Sequence, residues 1–213
     1  MNLTKLFEMQ KVLDERIMDE HPELRGQNNL DWKVLALQVE LGECANEWRG
    51  FKKWSKNQKP NIVSVQLKDA FKGRKVVQGF RQGGTRRLII DDVEVPFSEI
   101  DEYYDIKNPL LEEYVDCLHF ILSIGLELKA EKLVVWSVQE SESIIDMFNR
   151  VFMQISVIQS CIESRATIMQ THYSILVDLF VELGEMLGFT WEQIEEAYMN
   201  KNAVNHARQE NGY

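Results

Sequence analysis

The sequence predicts an all-α protein: a helical bundle carrying one small, partly β insertion. Three observations support this. Only four prolines and eleven glycines occur in 213 residues. Apolar side chains recur at helical spacing over most of the chain. Glycines and β-branched residues gather in one stretch, residues 55–108, which separates two helices that both carry acidic pairs.

The first helix is predicted over 3–19, where Leu3, Leu6, Met9, Leu13 and Ile17 share one face. HPELRGQNN is the loop after it. A second helix is predicted over 31–54. The texture then changes to GRKVVQGFRQGGTRR and RRLIIDDVEVPF. Here residues 88–95 read as strand, with a turn at Asp91-Asp92. Helix resumes at Asn108-Pro109, a cap followed by proline at the first helical position, and runs to about Lys129. Two more helices are predicted over 131–152 and 153–187, with a break between them, and Gly188 ends the second. Thr190-Trp191-Glu192-Gln193 is a capping box that opens the last helix, which continues to about Gln209. The whole chain, 1–213, is expected to form a single domain with 55–108 inserted in it.

Composition narrows the function classes. An apolar fraction of 45% supports a sizeable core. The net charge of −10 argues against non-specific DNA binding by the whole molecule. Three cysteines suggest a reducing compartment without a disulfide framework. The charged N-terminus does not read as a signal peptide, and no apolar run is long enough for a membrane span. A soluble, cytoplasmic protein is expected.

The chemistry lies in the acids. In the second helix, at about 100° per residue, Glu40, Glu43 and Glu47 fall on one arc that also holds Ala36 and borders the apolar stripe of Cys44 and Leu37. ExxE alone is commonly a solvated edge. The helix LEEYVDCLHFILSIGLEL differs, because it is apolar nearly all round and should sit centrally. Glu113 and Asp116 then cannot reach bulk water easily, and an unpaired buried carboxylate is costly or becomes protonated. Two such pairs on two helices relieve each other by sharing cations. Carboxylate oxygens without histidine or thiolate suit Mg²⁺, with Mn²⁺ as an alternative. A salt-bridged structural core is the competing reading. In the last helix Lys201, Asn205 and Arg208 continue the face of Ile194, Ala197 and Tyr198, as a phosphate chain with a nearby amide would require. Compensation of the helix dipole would explain the same cations. Cys44 and Cys117, each beside an acid, read as core filler. His119 reads as a hydrogen-bonded core or edge residue.

Gln10 in LFEMQKVLDERI, VELGE, FKKW at 51–54, EEYVDCLHF and the tail KNAVNHARQENGY together resemble the all-α dimeric dUTPases. These belong to the wider all-α NTP pyrophosphatase group with the MazG-type enzymes, and occur in bacteria, phages and trypanosomatids. The resemblance implies hydrolysis of dUTP, and often dUDP, to dUMP, which keeps uracil out of DNA. It implies that Glu40, Glu43, Glu113 and Asp116 hold Mg²⁺, with Glu43 deprotonating the attacking water. It further implies that Lys201 and Arg208 contact phosphates, that Gln10 and Asn205 lie near the uracil edge, that Trp54 and Phe120 wall the nucleoside, and that Tyr213 matches a terminal GY. A homodimer is expected through the apolar residues at 131–187. The segment between the acidic helices is longer than in that family; its basic stretch, 66–90, reads first as a solvated β-hairpin, with docking of a regulatory protein or nucleic acid as the alternative. The alternatives are a related pyrophosphohydrolase for dCTP or another nucleotide, and a helical interaction protein working through the insertion.

Overall fold

The computed structural model describes residues 3–81, 86–132 and 141–210. Among these are six α-helices: α1 (Leu3–Glu20), α2 (Leu30–Trp48), α3 (Pro109–Glu127), α4 (Ile144–Ser164), α5 (Met169–Met186) and α6 (Trp191–Glu210). Five short strands lie between α2 and α3: β1 (Ser64–Leu67), β2 (Val76–Phe80), β3 (Arg86–Ile90), β4 (Val93–Glu94) and β5 (Tyr104–Lys107). The expected class, all-α with a small β insertion, is the one observed. The chain divides into two compact units, Met1–Pro60 with Leu110–Tyr213, and Asn61–Pro109.

In the helical unit α3 has the central place its sequence predicts. Tyr114, Val115, Cys117, Leu118, Ile121, Leu122 and Ile124 are all buried. Two tyrosines join α3 to α5 reciprocally. The Tyr114 hydroxyl donates to the Phe180 carbonyl at 3.0 Å, and the Tyr173 hydroxyl donates to the Ile121 carbonyl at 2.9 Å. Each ring lies against a glycine of the opposite helix. A Cβ on Gly184 would stand 2.4 Å from Tyr114 Oη, and one on Gly125 would stand 2.2 Å from Tyr173 Oη. Glycine at both positions lets the backbones approach this closely.

Three boundaries differ from the sequence expectation. First, α2 stops at Trp48 rather than running to Trp54. Arg49 turns left-handed at φ 64° and its N–H donates to the Ala45 carbonyl. The Trp48 indole lies over Gly50, where a Cβ would fall 2.3 Å from the ring. The left-handed turn at Arg49 ends the helix, and Gly50 leaves room for the Trp48 ring to fold over the chain just past it. Second, α4 starts at Ile144, after Ser143 caps the Asp146 N–H at 3.2 Å. Residues 131, 132 and 141–143 are not helical, and the remainder of the segment before α4, 133–140, lies outside the described residues. Third, the break before α5 is at 165–168, with Arg165 left-handed at φ 54°. The capping box of α6 forms as predicted. The Thr190 N–H donates to Gln193 Oε1 at 2.9 Å, and the Gln193 N–H donates to Thr190 Oγ1 at 3.3 Å.

The apolar residues on which a homodimer interface was expected are mostly consumed within the chain. Met147, Phe148, Val151, Ile155 and Ile158 are buried in the core of the helical unit. Met153 and Ile168 of the same stretch, 131–187, are exposed, and a further exposed apolar stripe lies on α2, at Trp32, Leu35 and Val39.

The second unit has its own small core of Leu88, Ile90, Val95 and Ile100. Strands β2, β3 and β4 form an antiparallel sheet, and Asp91 and Asp92, both at positive φ, make the tight β3–β4 turn. Strands β1 and β5 form a separate antiparallel pair, and the Lys68 N–H donates to the Tyr103 carbonyl at 2.9 Å. The basic residues here are extensively ion-paired: Lys72 with Asp69, Arg74 with Asp91, Lys75 with Asp92, and Arg81 and Arg87 with Glu94.

Candidate active site

A cavity of about 350 Å³ opens among α1, α2, α3 and α6. Helix α1 lends Gln10 and Asp14, α2 lends Trp32, Lys33 and Glu40, α3 lends Asp116, His119, Phe120 and Ser123, and α6 lends Lys201, Asn205 and Arg208. Helical spacing places these groups. Asp116, His119 and Ser123 stand at i, i+3 and i+7 on α3, as Lys33 and Glu40 stand two turns apart on α2.

At one end of the cavity three carboxylates crowd together. Glu40, Glu113 and Asp116 each offer an oxygen within 4.8 Å of the others. The crowding is visible in their proton affinities. Burial, then the charges of Asp116, Glu43 and Glu40, push Glu113 up from the ordinary 4.5 to about 7. Glu40 is raised by burial and by Asp116 and Glu43. Asp116 is raised by burial even though Lys201 donates a hydrogen bond to it. Glu43 is exposed on the next turn of α2 and is not one of the three, yet its charge acts on all of them.

A family model described as dUTPase matches residues 2–70 and 101–213. This chain belongs to the dUTPase family. It is a hydrolase, a dUTP diphosphatase of the all-α type, and dUTP is its substrate. The unmatched stretch, 71–100, contains β2, β3 and β4. No curated protein gives a match to the chain. No helix among the described residues is long and apolar enough to cross a membrane. Members of the family generally use a divalent metal. The donor set of this dUTPase fits a hard cation: three close carboxylates, no thiolate and no histidine.

The site residues expected from the sequence fall into three groups. Glu40, Asp116, Phe120, Lys201, Asn205, Arg208 and Gln10 line one cavity, and Glu113 and Glu43 adjoin it through the acidic cluster. Trp54 does not line it. Because α2 ends early, Trp54 is 78% exposed and rests edge-on to Phe51. The indole in the cavity wall of this dUTPase is Trp32. Tyr213 lies outside the described residues.

The sequence reading missed a buried polar network under the cavity. Lys33 is 2% exposed, donates to Glu127 at 2.7 Å and lies 3.6 Å from Asp14. Asp14 also accepts from Ser123 at 2.6 Å and from the Gln10 amide at 2.7 Å. A lysine on the apolar stripe of α2, and an aspartate four residues after Gln10 on α1, were the available signals.

Proposed function

We propose that this dUTPase cleaves dUTP to dUMP and pyrophosphate, and also accepts dUDP, in a Mg²⁺-dependent reaction for which Mn²⁺ can substitute. Glu40, Glu113 and Asp116 hold the cation, joined by Glu43. The observation that carries this reading is the all-carboxylate cluster at the end of a cavity that also holds lysine, arginine and amide side chains. Carboxyl groups raised by burial and then by one another's charge are those a cation would relieve. Bound Mg²⁺ supplies charge neutralisation and polarisation of the phosphoryl group.

The chain's own residues do the rest. Glu43 orients the attacking water and takes its proton, a role for a carboxylate that lies beside the cluster and is open to solvent. Lys201 and Arg208 bind the phosphates. Lys201 donates to Asp116, and would exchange that partner for a phosphate oxygen. Phe120 and Trp32 wall the nucleoside, and Gln10 and Asn205 lie toward its polar edge. The protein works as a homodimer, a reading supported by the exposed stripe Trp32, Leu35 and Val39.

Pyrophosphate release tests the reading. With Mg²⁺ the protein should turn over dUTP much faster than UTP or dTTP, and chelation of the metal should stop it. Glu43→Gln should lower turnover by roughly 10²- to 10⁴-fold with helical content intact. Equal rates on the three nucleotides, or near-normal turnover in Glu43→Gln, would overturn the specificity or the assigned base respectively.

A further inference from the structure

His119 has one buried nitrogen that nothing in the fold uses. The residue is 6% exposed and lines the cavity. Its Nδ1 lies 2.8 Å from Gln10 Oε1, while Nε2 is buried and without a hydrogen-bond partner among the described residues. Native proteins rarely leave such an atom unsatisfied, and when they do a ligand is a ready explanation.

The tautomer of this ring follows from its neighbours. Gln10 is 3% exposed, and its Nε2 donates to the Asp14 carboxylate at 2.7 Å. A carboxylate only accepts, so the Gln10 amide cannot be flipped. Its Oε1 therefore faces Tyr198 and His119. The Tyr198 hydroxyl donates to that oxygen at 2.8 Å. The same oxygen can only accept from His119, so the imidazole carries its proton on Nδ1. Nε2 is left as a bare lone pair. Burial and the Lys201 charge hold the ring neutral, with its pKa lowered to about 3. Tyr198 stacks on it at 4.2 Å between ring centroids and 17° between planes, which fixes its orientation.

An acceptor fixed in this way selects a ligand with an N–H at the facing edge. Uracil presents one at N3. Cytosine presents a second lone pair there. We propose that His119 is a specificity-determining residue of the nucleoside site, accepting the uracil N3–H through Nε2, with Gln10 and Tyr198 as positioning residues. This rests on the nucleotide reading of the cavity given above. Gln10, whose oxygen and one amide proton are already engaged, acts mainly through His119. Thymine carries the same N3–H, so His119 does not discriminate against its methyl group.

The test is calorimetric binding of the product dUMP, dCMP and N3-methyl-dUMP, with long-range ¹H–¹⁵N NMR of the His119 ring in the ligand-free protein. The wild type should prefer dUMP over the other two by roughly 10- to 100-fold. His119→Phe keeps a ring against Tyr198, and should bring the three affinities to within about 3-fold of one another if the Nε2 acceptor supplies that preference. A merely structural role would lower all three together and leave their ratio unchanged. The NMR spectrum should show the proton on Nδ1. Equal binding of dUMP and N3-methyl-dUMP by the wild type, a wild-type ratio in folded His119→Phe, or a proton on Nε2 would each overturn the assignment, and two of these need no variant. Failure of all three nucleotides to bind would overturn the nucleotide reading as well.

Discussion

At the scale of single residues, the acidic cluster couples metal, protons and stability. Glu113 has its carboxyl raised from 4.5 to about 7 by burial and by its acidic neighbours. A carboxyl raised on folding favours the fold while protonated. Its contribution is complete below the unfolded value near 4.5 and is lost as pH climbs through about 7. His119, lowered to about 3, works in the opposite direction, losing stability as pH falls below its ordinary 6.5. Comparison with Glu113→Gln isolates the carboxylate, because both proteins retain His119. In metal-free buffer the stability gained by Glu113→Gln should grow from about pH 5 to about pH 8, read from thermal unfolding, and parallel curves would contradict the coupling. The positions of these acids were legible in the sequence, because an acid on a helix that is apolar all round has few ways out. Periodicity placed Glu40, Glu113 and Asp116 at the border of apolar faces, and the structure half-buries them there. The Gln10–His119–Tyr198 contacts were not legible, since they join residues of three helices through separations of 109 and 188 positions that no local pattern records.

At the scale of elements, close packing of α3 on α5 holds the acidic face in place. Tyr114 passes over Gly184, and Tyr173 over Gly125. Gly184→Ala puts a methyl group 2.4 Å from Tyr114 Oη and must displace it from the Phe180 carbonyl. Overpacking of this kind costs about 1–3 kcal/mol, which urea unfolding would register, and an unchanged midpoint would contradict the packing. Most helices were legible from spacing and caps: the Asn108-Pro109 start and the Thr190–Gln193 box both stand where the sequence put them. The end of α2 was not, because Phe51 and Trp54 continue the helical spacing that the left-handed Arg49 interrupts. That one boundary removes Trp54 from the cavity. The Ser143 cap of α4 was overlooked for a related reason, since apolar residues on both sides of it suggested unbroken helix.

At the scale of the whole molecule, a helical enzyme carries a second unit that the family model passes over in part, at 71–100. The chain leaves and returns at one place, where β1 pairs with β5 and Lys68 meets Tyr103. Replacing 71–100 by a short flexible linker should therefore spare dUTP hydrolysis. A folded variant without activity, judged by circular dichroism and pyrophosphate release, would show that the segment serves the reaction. Its basic texture was plain in the sequence, but the ion pairs that neutralise it were not. Asp91, Asp92 and Glu94 follow the basic run and fold back onto it through the hairpin. Of the apolar residues at 131–187 where an interface was expected, Met147, Phe148, Val151, Ile155 and Ile158 fill the chain's own core, because amphipathic spacing does not distinguish a core within one chain from an interface between two. The central claim is that Glu40, Glu113 and Asp116 jointly hold a divalent cation, and Mn²⁺ titration followed by electron paramagnetic resonance tests it most directly. The wild type should bind Mn²⁺, and folded Glu40→Gln, Glu113→Gln and Asp116→Asn variants should each bind it far more weakly. Wild-type affinity in all three would contradict the claim.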